Sequence, residues 1–139
     1  MQGLKNKSEI NKDAAKLLHE KDYFAPSVHC SYYSCLQLMK YCLNSHFKLT
    51  EKEINSKVSR YTRNNKDGSH NFFISFLFNE IKTISNLRES NNFYKKIIIL
   101  KKIRTTADYG KEEILYNKSN EALTLSSDII EMIKKHLRL

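Results

Sequence analysis

Proline and glycine are nearly missing from this chain, with one Pro and three Gly in 139 residues. That scarcity leaves little material for the turns of a β sandwich or barrel and favours helices. Long apolar runs are missing too. No stretch approaches the roughly 20 residues that span a bilayer, so no membrane is expected among its partners. The opening residues, MQGLKNKSEINKD, contain no apolar stretch and no small-residue cleavage site. They do not read as a secretion signal, and a cytoplasmic location is the expectation. Cysteine is scarce as well: Cys30, Cys35 and Cys42 are odd in number and form no C-x-x-C pair. A disulfide framework needs pairs, and a zinc site needs closer ligand spacing. Cys35 and Cys42 would share one helix face, where free thiols behave as small buried hydrophobes. His29 lies beside Cys30, but adjacent helical residues point in different directions. No metal and no cofactor is expected. There is also no Gly-rich phosphate loop, no G-x-S-x-G elbow and no H-E-x-x-H helix.

What is abundant is positive charge. The formal net charge is +9, a surplus that favours RNA, DNA, nucleotides or an acidic protein partner. A lysine-rich codon bias would produce part of the same surplus. The length suits one domain, residues 1–139, and Lys, Ile, Asn, Leu and Ser dominate, so a single folded core is expected.

Apolar periodicity then divides the chain into helices. A first helix is read from about Ser8 to Lys21, with Ile10, Ala14, Leu17 and Leu18 inward. Pro26 suits a first helical position, and Val28, Tyr32, Cys35, Met39 and Leu43 follow as one stripe. A third helix starts near Thr50, with Glu53 completing a capping box and Ile54, Val58 and Tyr61 on one side. Asn64, Asn65, Asp67 and Gly68 mark a turn. A fourth helix carries Phe73, Leu77, Glu80, Ile81 and Ile84, and Asn86 to Asn92 reads as a polar join. Ile97 to Leu100 would suit a buried strand by propensity, but Phe93, Ile97, Leu100 and Ile103 fit a helix better. Gly110 is expected to close that helix in a left-handed conformation. The last helix runs from about Ser119, with Ala122, Leu125, Ile129, Ile133 and Leu137 inward and Lys134, Lys135 and Arg138 near its end. The predicted fold is an all-α, up-and-down bundle of roughly four to six helices.

Four features carry possible chemistry. In LKKIRTTADYG, Arg104 continues the apolar stripe of Ile97 and Leu100, so its guanidinium must snorkel or be paired. Asp108 stands one turn on, and Tyr109 follows with a phenol. A structural ion pair and a functional cluster both fit this spacing. In SVHCSYYSC, Tyr32 faces the core while His29 and Tyr33 share the next face. A polar seam or cleft between this helix and the Arg104 helix follows, with a packed aromatic core as the alternative. His70 opens the fourth helix, where the neutral imidazole is favoured and serves either as a base or as a cap. Lys57, Arg60, Arg63 and Lys66 form a basic run beside Tyr61, which suits either a solvated face or a phosphate-tracking patch.

Taken in order, SVHCSYYSCLQLMKYCL, GSHNFF, LKKIRTTADY and NEALTLSSDIIEMIKKHL resemble HEPN-domain proteins, across Ala14 to Leu137. The shared elements are a Tyr-Tyr helix, a mid-chain His and a late R-x-x-A-D-Y box. The resemblance implies a helical bundle that forms a homodimer, with a polar cleft at or near the interface. It also implies a place in a toxin–antitoxin or phage-defence system, often beside a nucleotidyltransferase-type antitoxin or a defence-complex partner. Many such proteins are metal-independent ribonucleases, whose motif is an Arg followed by a polar residue and then, after about four to six intervening residues, a His. Their His moves protons at the ribose 2′-hydroxyl and their Arg stabilises the phosphate. Here Thr105 follows Arg104, and Tyr109 occupies the place of a His. Arg63-Asn64 with His70 meets the spacing elsewhere. The resemblance therefore implies an RNA- or nucleotide-associated subunit with weak or no nuclease activity. An active endoribonuclease toxin and a helical protein-binding adaptor are the alternatives.

Overall fold

The computed structural model of the protein describes residues 2–64 and 68–139. Six helices occupy these residues, and no strand is found among them: α1 (Gln2–Glu20), α2 (Phe24–Ser45), α3 (Glu51–Asn64), α4 (Gly68–Ile84), α5 (Leu87–Tyr109) and α6 (Tyr116–Leu137). The all-α bundle is as the periodicity predicts. Helix α2 is its axis, packing on α1, α4, α5 and α6. Helices consecutive in the chain lie side by side for α1 and α2, α3 and α4, α4 and α5, and α5 and α6. No helix among the described residues is long and apolar enough to cross a membrane.

The core follows from the stripes. Val28, Tyr32, Cys35, Met39 and Leu43 of α2 are wholly buried, as are Phe93, Ile97 and Leu100 of α5. Ala122, Ile129, Ile133 and Leu137 of α6 meet them, and Phe73, Leu77 and Ile81 of α4 close the remaining side. Cys35 and Cys42 are buried as small apolar groups, and burial pushes both thiols up to about 12. Each apolar group removed from water contributes through the area it buries.

Several boundaries differ from expectation. Helix α1 starts at Gln2, and its inner face is Ser8 and Ala15 rather than Ile10 and Leu17, which are exposed. Small side chains explain the rotation. The Ser8 hydroxyl donates to the Ser34 carbonyl at 2.6 Å, and the Ser27 hydroxyl to the Ala15 carbonyl at 2.6 Å. These bonds let α1 and α2 approach closely, and satisfied buried hydroxyls are tolerated where unsatisfied ones are not. Pro26 is the third residue of α2, not the first, still within the turn whose N–H groups have no helical partner. The segment 87–92 is helix, not a join. Asn86 caps α5 by accepting the Glu89 N–H at 2.9 Å, a polar start that the following Ser and Asn residues disguise. Thr50 accepts the Glu53 N–H at 3.1 Å, as expected of a cap. Ile84 is exposed, and α6 begins at Tyr116.

Two glycines matter. Gly68 takes φ 78°, a left-handed conformation that favours glycine. Gly110 is not left-handed as predicted but extended (φ −76°, ψ 161°). Its role is close approach, since a Cβ there would lie 2.6 Å from the Thr106 carbonyl oxygen. Asn65 and Asp67 of the predicted turn lie outside the described residues.

The tight α1–α2 seam generates a test. Ser27→Leu overfills it and lowers the unfolding free energy by about 1–3 kcal/mol. Ile10→Ser, at an exposed position, changes it by less than about 0.5 kcal/mol. Urea denaturation followed by circular dichroism reads both.

Candidate functional site

The site grows from one residue on the wrong stripe. Positions 93, 97 and 100 of α5 are apolar and buried, and position 104 continues them as an arginine only 6% exposed. A cation there must find compensation inside the bundle. Helix α2 supplies aromatic faces: the guanidinium carbon sits 4.7 Å from the Tyr32 ring centre and 5.4 Å from that of Tyr33. Tyr109, one turn along α5, adds its ring at 5.8 Å. Such cation–π contacts contribute about 0.5–2 kcal/mol each, more when dry.

The polar contacts of Arg104 are long. Its Nη1 lies 3.7 Å from Asp108 Oδ2, the i,i+4 pair that the spacing predicts. Its Nη2 lies 3.5 Å from the Tyr33 hydroxyl and 3.3 Å from His70 Nδ1. The Nε–H is buried with no partner. Charge-assisted bonds to a fitted partner run nearer 2.7–2.9 Å. The guanidinium is therefore sheltered but under-satisfied.

Two histidines flank it in different states. His70, in the first turns of α4, has its Nδ1 3.0 Å from the Tyr32 hydroxyl and within reach of Arg104. A guanidinium only donates, so Nδ1 must accept and the ring proton resides on Nε2. Desolvation first, then the charges of Arg104, Lys40 and Lys101, hold the His70 pKa down to about 4. Burial raises that of Tyr32 to about 12, so the phenol keeps its proton. His29, on α2, differs in its hydrogen bonding. Its Nδ1 lies 3.0 and 3.1 Å from the two Asp108 oxygens and donates to them. Its ring lies 4.6 Å from that of Tyr33, tilted by 34°, and its side chain is 48% exposed. Outside this pair opens a groove of about 460 Å³ lined by Pro26, His29, Cys30, Ala107, Asp108 and Tyr109.

Seven of the residues singled out from the sequence thus come together: His29, Tyr32, Tyr33, His70, Arg104, Asp108 and Tyr109. The others do not join them. Lys57, Arg60 and Arg63 are exposed on α3. Arg60 and Arg63 border an open groove along that helix with Lys52, Asn55 and Ser59. The Arg63 Nε–H turns back to the Ser59 carbonyl at 3.4 Å, so its spacing from His70 does not translate into a place in the Arg104 cluster. Tyr61, half-buried, packs its ring 5.8 Å from Phe72 of α4. Lys66 lies outside the described residues. Sequence reasoning missed Lys40 and Lys101, which add positive potential at His70. The signal was available: Lys40 stands seven residues after Tyr33 and Lys101 three before Arg104. Among the described residues, no group of three or more His, Cys, Asp or Glu gathers as a metal site would require.

No protein-family model, curated protein or solved structure matches the chain.

The His70 environment sets a pH dependence. Its folded pKa, about 4, lies below the ordinary 6.5, so the unfolded chain binds the extra proton first. The stability that neutral His70 contributes is complete above about pH 6.5 and drains away as pH falls toward 4. Urea midpoints measured across that window fall with acidification in the native protein. His70→Asn flattens the slope.

Proposed function

We propose that this protein is a HEPN-type, RNA- or nucleotide-associated subunit whose own nuclease activity is weak or absent. The observation that carries the reading is the buried Arg104 guanidinium, cradled by tyrosines, with its one carboxylate partner, Asp108, no nearer than 3.7 Å and its Nε–H unpartnered. A phosphate oxygen is the ligand such a group is suited to meet. The neutral His70, Lys40, Lys101 and the +9 surplus all favour an anion on that side. Arg60 and Arg63 on α3 offer further phosphate contacts along a strand.

Weak chemistry follows from His70. A base works best with a pKa near the operating pH, and a group held near 4 takes up protons poorly at neutrality. The resemblance to HEPN proteins adds the setting: a cytoplasmic homodimer in a toxin–antitoxin or phage-defence system, beside a nucleotidyltransferase-type antitoxin or defence-complex partner. Free Cys30, Cys35 and Cys42 suit a reducing compartment. The exposed Tyr109 extends aromatic surface from the rim of the cleft, which suits a second copy docking there.

Gel-shift titration with single-stranded RNA tests the reading. Retention falls as salt rises. Arg60→Glu with Arg63→Glu lowers affinity uniformly across sequences and reduces the salt slope by about 2. Arg104→Met weakens retention by about tenfold or more, by loss of a charged phosphate contact. Absence of RNA and nucleotide retention at low salt contradicts the proposal.

A further inference from the structure

We infer that α3 is a duplex-DNA-binding helix, seated in the major groove through the stripe formed by Lys52, Ser56, Ser59 and Arg63. The inference does not rest on the RNA reading, because no residue of the Arg104 cluster lines this face.

Helix α3 gives the core least. Of its 14 residues only Ile54 is buried, Val58 and Tyr61 are half-buried, and the rest are exposed. It packs chiefly on α4, and its far side faces solvent. Positions 52, 56, 59 and 63 recur at helical spacing and form one line down that far side. The middle of the line is two serines, and its ends are a lysine and an arginine. Arg60 and Lys57 flank it on one side and Asn55 on the other. The acids of α3 are confined to its first turn, where Glu53 accepts from the Thr50 hydroxyl at 3.1 Å. No acid follows from Ile54 to Asn64.

This pattern selects among nucleic acids. Short polar side chains at the middle of a helix let it approach base edges closely, and Ser and Asn can both donate to and accept from them. Long cations at the ends and flank reach the phosphates of the groove walls. A helix with its side chains is about 10–12 Å across, and the major groove of B-DNA is about 12 Å wide. Duplex RNA fits poorly, because its A-form major groove is too narrow for such an element. Single strands fit poorly for another reason. Their unpaired bases are held by aromatic stacking, and no aromatic side chain lines this face, since Tyr61 packs against Phe72. Arg60 and Arg63 can follow any phosphate chain; Asn55, Ser56 and Ser59 between them are what favour the DNA duplex.

Fluorescence anisotropy of the full chain tests this with three labelled probes: a mixed-sequence DNA duplex, the RNA duplex of the same sequence, and one single RNA strand. The DNA duplex is expected to bind about tenfold tighter than the RNA duplex. Methylating guanine N7, on the major-groove floor, weakens DNA binding about fivefold or more. Ser56→Glu, at an exposed position, leaves the urea midpoint unchanged. It lowers DNA affinity about tenfold or more, through bulk and negative charge at the middle of the stripe. Arg60→Gln with Arg63→Gln reduces the salt slope of DNA binding by about 2, and Arg104→Met leaves DNA affinity as it is. An RNA duplex bound as tightly as the DNA duplex overturns the inference. So does indifference to N7 methylation, or a Ser56→Glu variant that binds DNA normally or loses single-stranded RNA to the same extent as DNA. Retention of RNA without any binding of duplex DNA overturns it while leaving the RNA association standing; duplex DNA binding without RNA retention leaves it standing alone.

Discussion

Everything distinctive about this bundle depends on placing a guanidinium where a leucine would ordinarily go. Arg104 interrupts the α5 stripe at a position 6% exposed. The surrounding residues are those that make that burial tolerable: two tyrosine faces, one carboxylate and a histidine kept neutral. A buried ion pair is seldom the most stabilising solution, and well-packed apolar groups often serve stability as well or better.

The arrangement also divides labour between the histidines. His70 faces the inner, cationic side and accepts at Nδ1; His29 faces the groove and donates at Nδ1. One carboxylate, Asp108, connects the interior charge to the outer imidazole. Changes at Arg104 therefore reach the groove through Asp108 without Arg104 itself lining it.

Much of this was legible in the sequence. The apolar stripes of α2, α5 and α6 are strict enough to name their buried residues, and Arg104 betrays itself by sitting on such a stripe with Asp108 one turn on. The inner face of α1 was not legible, because close packing there is built from Ser8 and Ala15, and hydrophobicity alone points to Ile10 and Leu17. The start of α5 was hidden for a related reason: Asn86 and Glu89 are a cap, but the polar residues after them look like a loop. The His29–Asp108 contact joins α2 to α5, and its existence depends on the register between two helices distant in sequence. Nothing local in either segment announces it. Arg63 and His70 show the converse, a spacing that matches a motif although the Arg63 side chain turns back onto α3.

The central claim is that the Arg104 charge lies inside the cluster and acts on the groups around it. Nuclear magnetic resonance titration of the histidine rings in the native protein and in Arg104→Met addresses it directly. The account predicts that His70 titrates near 4 in the native protein and moves upward, toward 6.5, once the guanidinium is gone. An identical midpoint in the two proteins would contradict it.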